Sequence, residues 1–136
     1  MPIPLSRETS FDGVHCTFAI QRFPCGVVLL KISGTDIGEF GDGPMLELKE
    51  CLKEIAPIRL FIDARDVQGA SIEVSGEWAG WLQANKSDLR DISMLTGSRF
   101  IEITAGFVRR FAALQGIMRI YTESAAFDAA LAESLS

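Results

Sequence analysis

Short apolar runs alternate with segments of helical periodicity along this chain, and that alternation limits the fold more than any other feature. "HCTFAIQRF" and "VVLLKISG" are β-rich and are separated by "PCG", where Pro fixes one φ angle and Gly permits the other, so the pair reads as a hairpin. In "PMLELKECLKEIA", Met45, Leu48, Leu52 and Ile55 recur at spacings of three and four. Pro44 suits the first helical turn, and Pro57 ends the helix. "IRLFID" is a strand long enough to cross a sheet. Val74, Trp78, Trp81 and Leu82 then predict a helix near residues 74 to 86, with Ser71 or Ser75 as its cap. "DISML" is a brief strand, and Ser98 caps the longest amphipathic segment. Phe100, Ile103, Phe107, Phe111 and Leu114 fall on one helical face of that segment, with Arg99, Glu102, Arg109 and Arg110 off it and Gly116 as the stop. "IMRIY" is the last strand, and Ser124 caps a helix in which Phe127, Leu131 and Leu135 recur every fourth residue.

This order predicts an α/β domain with a mixed sheet of about five strands and about four helices, joined by right-handed crossovers. A chain of 136 residues, 48% hydrophobic, can bury a core without a disulfide or metal staple, and it has the size of one domain. That domain is expected over residues 14 to 136. Residues 1 to 13, with two prolines and "DG", read as a loosely held lead-in. In such sheets the loops leaving the carboxyl ends of parallel strands form the working edge, and "DARDVQGASIEVSG" takes that place after "RLFI".

A net charge of −5 argues against nucleic acid, because affinity for a phosphate backbone comes from clustered Lys and Arg, and Arg109 and Arg110 are the one adjacent basic pair. Cys16, Cys25 and Cys51 are widely spaced, with no C-x-x-C pair, and read as free thiols. The first residues lack a signal-peptide pattern, and no uncharged apolar run reaches about 18 residues. The expectation is a cytoplasmic protein with no membrane partner.

Recognisable chemistry is sparse. Asp63 and Asp66 are of the type that holds magnesium or accepts phosphate, yet "TDIG", "MLTG" and "IYTES" bring no converging carboxylates and lysine, so turn hydrogen bonds to backbone N–H groups are the plainer reading. His15 is the single histidine, and Cys16 beside it points to the opposite face of a strand, which argues against a nucleophile–base pair. "GTDIGEFGDG" matches no phosphate-binding loop, and its acidic residues repel anions. Trp78 and Trp81 share a helical face that serves either the core or a partner. No catalytic residue, metal site or cofactor is expected.

The runs "VVLLKISG", "PMLELKECLKEI", "RLFIDARDVQGAS" and "IMRIYTESAAFDAALAESL", spanning roughly residues 14 to 135, resemble the STAS superfamily of anti-sigma-factor antagonists. The likeness is to its SpoIIAA-like branch, also labelled STAS-like or STAS/SEC14. In the classical antagonists the strand and turn lead to Asp-Ser-Ser-Gly, where one serine is phosphorylated by a partner kinase. The resemblance implies "EVSG", hence Ser75, as the counterpart, or Ser71 in an ungapped alignment. Phosphate at a helix N-terminus would meet unpaired N–H groups, although Glu73 and Glu77 flank Ser75 and oppose it, so a plain N-cap is the other reading. The expectation is therefore a non-catalytic regulatory or protein-interaction domain with Asp63, Asp66, Glu73, Glu77, Trp78 and Trp81 on its contact surface. Its partner would be a protein, such as an anti-sigma-type kinase or a second copy of the chain. The alternative, motivated by nine Phe and two Trp, is a SpoIIAA-like or SEC14-like pocket for a small apolar ligand or lipid. An enzyme using Asp63 and Asp66 is a third reading.

Overall fold

The computed structural model of the protein describes residues 7–136. Among the described residues six strands and four helices form a mixed α/β fold: β1 (Arg7–Asp12), β2 (Cys16–Phe23), β3 (Val27–Asp36), α1 (Gly43–Ile55), β4 (Ile58–Ala70), α2 (Ile72–Ala84), β5 (Leu89–Thr96), α3 (Arg99–Phe111), β6 (Met118–Tyr121) and α4 (Ser124–Leu135). The strands lie in sequence order across one sheet. β1, β2 and β3 pair antiparallel, and β3 to β6 pair parallel.

The expected hairpin is β2 and β3, turned at Pro24–Gly26 with Cys25 and Gly26 both at positive φ, 69° and 74°. The sheet carries six strands where about five were expected, because residues 7–12 of the expected lead-in pair along the edge with β2. Residues 1–6 of that lead-in lie outside the described residues. β1 escaped the pattern because it is a polar edge strand with little buried surface, so no hydrophobic alternation marks it.

One face of the sheet is covered by α1, α2 and α3, whose Leu48, Cys51, Leu52, Ala79, Leu82, Ala105 and Val108 pack on Phe18, Ile20, Val28, Leu30, Ile58, Leu60 and Ile62. The other face is covered by α4, whose Phe127 is fully buried on Val27, Leu29, Phe61 and Leu95. Alternate residues of β3 and β4 therefore serve two cores, which is why "VVLL" and "LFI" read as continuous apolar runs.

The acidic stretch after "RLFI" is not a loop. β4 continues through it to Ala70, thirteen residues in all, with register shifts against β3 between Lys31 and Ser33 and between Gly34 and Thr35. Gly34 makes the second irregularity possible: its φ is +83°, and a Cβ there would stand 2.2 Å from the His15 carbonyl oxygen. α2 starts two residues before the expected position, at Ile72, because Ser71, directly after the strand, is its N-cap.

Candidate functional site

Ser71 is the cap of α2. Its backbone is extended, and its hydroxyl accepts from the Val74 N–H at 3.1 Å, satisfying one of the orphan donors of the first turn. Ser75 is not a cap: its own N–H donates to the Ser71 carbonyl at 3.0 Å, which places it inside the helix, half-buried. Ser98 caps α3 as expected, accepting from the Ile101 N–H at 3.2 Å.

The acidic pair is split by the strand. Asp63 is half-buried and takes the Arg65 N–H and the Arg65 guanidinium, the Nε at 3.0 Å, so the turn-type hydrogen bond is present within a strand. Arg65 also donates to Asp128 of α4 at 2.7 Å, and the two carboxylates raise its already high pKa. Asp66, Glu73 and Glu77 are exposed. His15 is exposed, and its backbone N–H donates to Glu39. Cys16 beside it is buried, and burial, reinforced by Asp36 and Glu39, pushes its thiol up to about 12, far from a nucleophile's range. Among the described residues no group of three His, Cys, Asp or Glu side chains could hold a metal ion.

Trp78 and Trp81 are half-buried and pack against the main core, Trp78 stacked on Phe18 at 6.1 Å and meeting Trp81 edge-on at 6.3 Å. The core reading of these two rings therefore accounts for most of their surface.

The feature that stands out is α3, which carries two apolar stripes. Ile101, Ala105, Val108 and Ala112 are buried, and the small side chains of Ala105 and Ala112 let the helix approach the sheet. The larger stripe faces solvent: Phe100, Ile103, Phe107 and Phe111 are 59%, 61%, 57% and 66% exposed, against the rule that an amphipathic helix turns its apolar stripe inward. On α2, Ile72 is 91% exposed, and Gly76 and Gly80 leave open space above the backbone. Between the two helices runs an apolar groove of about 630 Å³. Beneath it an interior cavity of about 90 Å³ lies between the sheet and the same helices, lined by side chains such as Ile32, Val67, Met94, Trp78 and Ile101. Ala70, Ser75, Thr104 and Val108 border both spaces, so groove and cavity adjoin. Sequence periodicity found Phe100, Ile103, Phe107 and Phe111 of the outer stripe but not its orientation, and it wrongly added Leu114, which lies past the end of α3 at Phe111 and is buried. The available signal was the second stripe of smaller residues, since a helix apolar on two faces can bury only one of them on a sheet.

A single open sheet in strand order, antiparallel then parallel, with three helices on one face and one on the other, defines an α/β domain of SpoIIAA-like fold. It is similar to an uncharacterized protein of the DUF3478 family with a SpoIIAA-like fold from Shewanella loihica PV-4. That likeness has a TM-score of 0.64 and 14% identity, and covers 89% of this chain and 98% of that one. No family model and no curated protein matches the chain. Among the described residues no helix is long and apolar enough to cross a membrane.

Proposed function

We propose that this protein is a non-catalytic binding domain that engages a protein partner through the apolar α2–α3 face. The observation that carries the reading is the exposure of Ile72, Phe100, Ile103, Phe107 and Phe111 around one groove. Scattered exposed apolar residues are ordinary, but a contiguous patch on two neighbouring helices marks an interaction surface. Aromatic side chains at the centre of such a patch are the usual anchors of binding energy. The contact surface thus moves from the acidic stretch at Asp63 and Asp66 to the outer sides of α2 and α3. In this reading a regulatory phosphate would act at Ser75, which borders both groove and cavity, where its charge of about −1.5 to −2 would oppose apolar contact.

The test is binding of the apolar fluorophore ANS, with circular dichroism as the control for folding. At a concentration low enough to keep the chain monomeric, the native protein is expected to enhance the dye's emission, and the double variant Ile103→Glu, Phe107→Glu to lose the enhancement with its dichroism unchanged. Equal emission from the two proteins would remove the face as a binding surface.

A second reading is favoured by the interior cavity, which is apolar and lies directly under the groove. A small apolar ligand would occupy cavity and groove together, a combined space within the range of about 300–1,000 Å³ typical of ligand pockets. Native mass spectrometry of freshly purified protein would reveal it as a mass increment that organic extraction removes.

A further inference from the structure

We infer that the occupant of the α2–α3 face is a second copy of the same face, packed about a two-fold axis parallel to the helices so that α2 of each protomer lies over α3 of its partner. The inference rests on the binding face proposed above and names its partner. Three observations carry it.

The first is shape. α3 presents a ridge of Phe100, Phe107 and Phe111, and the adjacent α2 presents a notch where Gly76 and Gly80 leave nothing above the backbone. Both helices return from the carboxyl ends of parallel strands, so they run side by side in the same direction. Rotation about an axis between and parallel to them sets each ridge into the other protomer's notch. This is an isologous contact, closed at two copies.

The second is charge. α2 contains Glu73 and Glu77 and no Lys or Arg, whereas α3 contains Arg99, Arg109 and Arg110 against Glu102. At about 100° per residue, Glu73 and Glu77 fall on the solvent-facing side of α2, and Arg99 and Arg110 on the solvent-facing side of α3. The two-fold axis sets these sides against each other, with Glu73 at the start of α2 opposite Arg99 at the start of the partner's α3. All four side chains are exposed, and among the described residues none forms an ion pair within its own chain. The same pattern disfavours an anionic membrane, which the acidic α2 edge would repel, and any partner carrying a single sign of charge.

The third is area. Three half-exposed Phe rings, each burying roughly 150–250 Å² in full, together with Ile72 and Ile103, supply the greater part of the about 800 Å² per partner of a standard interface.

Sedimentation velocity on the full chain over two decades of concentration tests the inference. The expected result is a concentration-dependent doubling of mass that Phe107→Glu abolishes. Charge reversal reads the pairing itself: Glu73→Arg and Arg99→Glu should each weaken the dimer roughly tenfold or more, and the double variant should recover most of the loss. A dimer indifferent to Phe107→Glu, or two single reversals whose effects add in the double variant, overturns the arrangement. A monomer at every concentration overturns the dimer as well. If that monomer still binds ANS in a Phe107-dependent manner, the face remains a binding surface for another partner. If it does not bind the dye, the proposed function fails with the dimer.

Discussion

Ser71 and Ser75 stand four residues apart in the same segment, and the structure gives them opposite roles that a stability measurement separates. Ser71→Ala removes the hydroxyl that accepts from the Val74 N–H at 3.1 Å, and the expected cost is about 1 kcal/mol, the usual loss for an N-cap. Ser75 caps nothing. Its N–H is already in the helical ladder, bonded to the Ser71 carbonyl at 3.0 Å, and Ala is the better helix former, so Ser75→Ala should be neutral or more stable by up to about 0.5 kcal/mol. Aspartate reverses the order. Ser71→Asp keeps a capping oxygen at the positive end of α2 and should stay within about 0.5 kcal/mol of the native protein. Ser75→Asp places a carboxylate at a half-buried position that borders both an apolar groove and an apolar cavity, at an expected cost of about 1–2 kcal/mol. For a domain of this length about 1 kcal/mol corresponds to roughly 3–4 °C in Tm. Urea denaturation followed by circular dichroism should show the midpoints moving with the slope unchanged. If Ser75→Ala lost as much as Ser71→Ala, or Ser71→Ala lost nothing, the assignment of the cap and of the helix start would be wrong.

Phe127→Ala should cost about 3–5 kcal/mol and lower Tm by more than 10 °C or so, because the ring is fully buried and meets Phe61 at 5.7 Å and Tyr121 at 5.8 Å edge-on; a loss under about 1 kcal/mol would mean that α4 is not docked on the sheet. Gly34→Ala combines a left-handed backbone with a Cβ 2.2 Å from a carbonyl oxygen, so a loss of roughly 2–4 kcal/mol is expected by urea denaturation, and a neutral result would refute the close approach of β3 to His15. Of the three thiols only exposed Cys25 should alkylate quickly in the native state, and all three should in denaturant; rapid native labelling of Cys16 or Cys51 would refute their burial. The raised Cys16 pKa also gives a pH dependence. Below pH 9 the thiol is protonated in both states and stability is unaffected. From about 9 towards 12 the unfolded chain releases a proton that the folded one keeps, so this thiol contributes a fall in stability with a slope of up to about 1.4 kcal/mol per pH unit. Replacing Cys16 by Ala should flatten that fall.

Where the buried pattern was strong, the sequence was readable. Ile20, Leu30 and Leu60 belong to runs that can be satisfied only inside a sheet, and Leu48 and Leu52 to a stripe that fits only a helix, so the hairpin, the four helices and the mixed sheet were all legible. The departures share a cause. β1 is an edge strand whose polar residues bury little, and β4 beyond Ile62 passes through "DARDVQG", where Ala64 and Val67 alone are buried and the strand is maintained chiefly by backbone pairing. Local composition carries no signal for either, because the energy comes from hydrogen bonds to strands distant in sequence.

The sequence by itself determined the order of elements from β2 onward, the caps at Ser71 and Ser98 as candidates, and the existence of an apolar stripe from Phe100 to Phe111, since each follows from spacings of a few residues. Only the tertiary structure decided which apolar stripe of α3 meets the sheet. The helix has room for one, and the small side chains of Ala105 and Ala112 allow the closer approach, so the large rings are left outside. That choice depends on how the helix sets down against the strands and on the neighbouring α2, and neither is encoded in the period of a single helix.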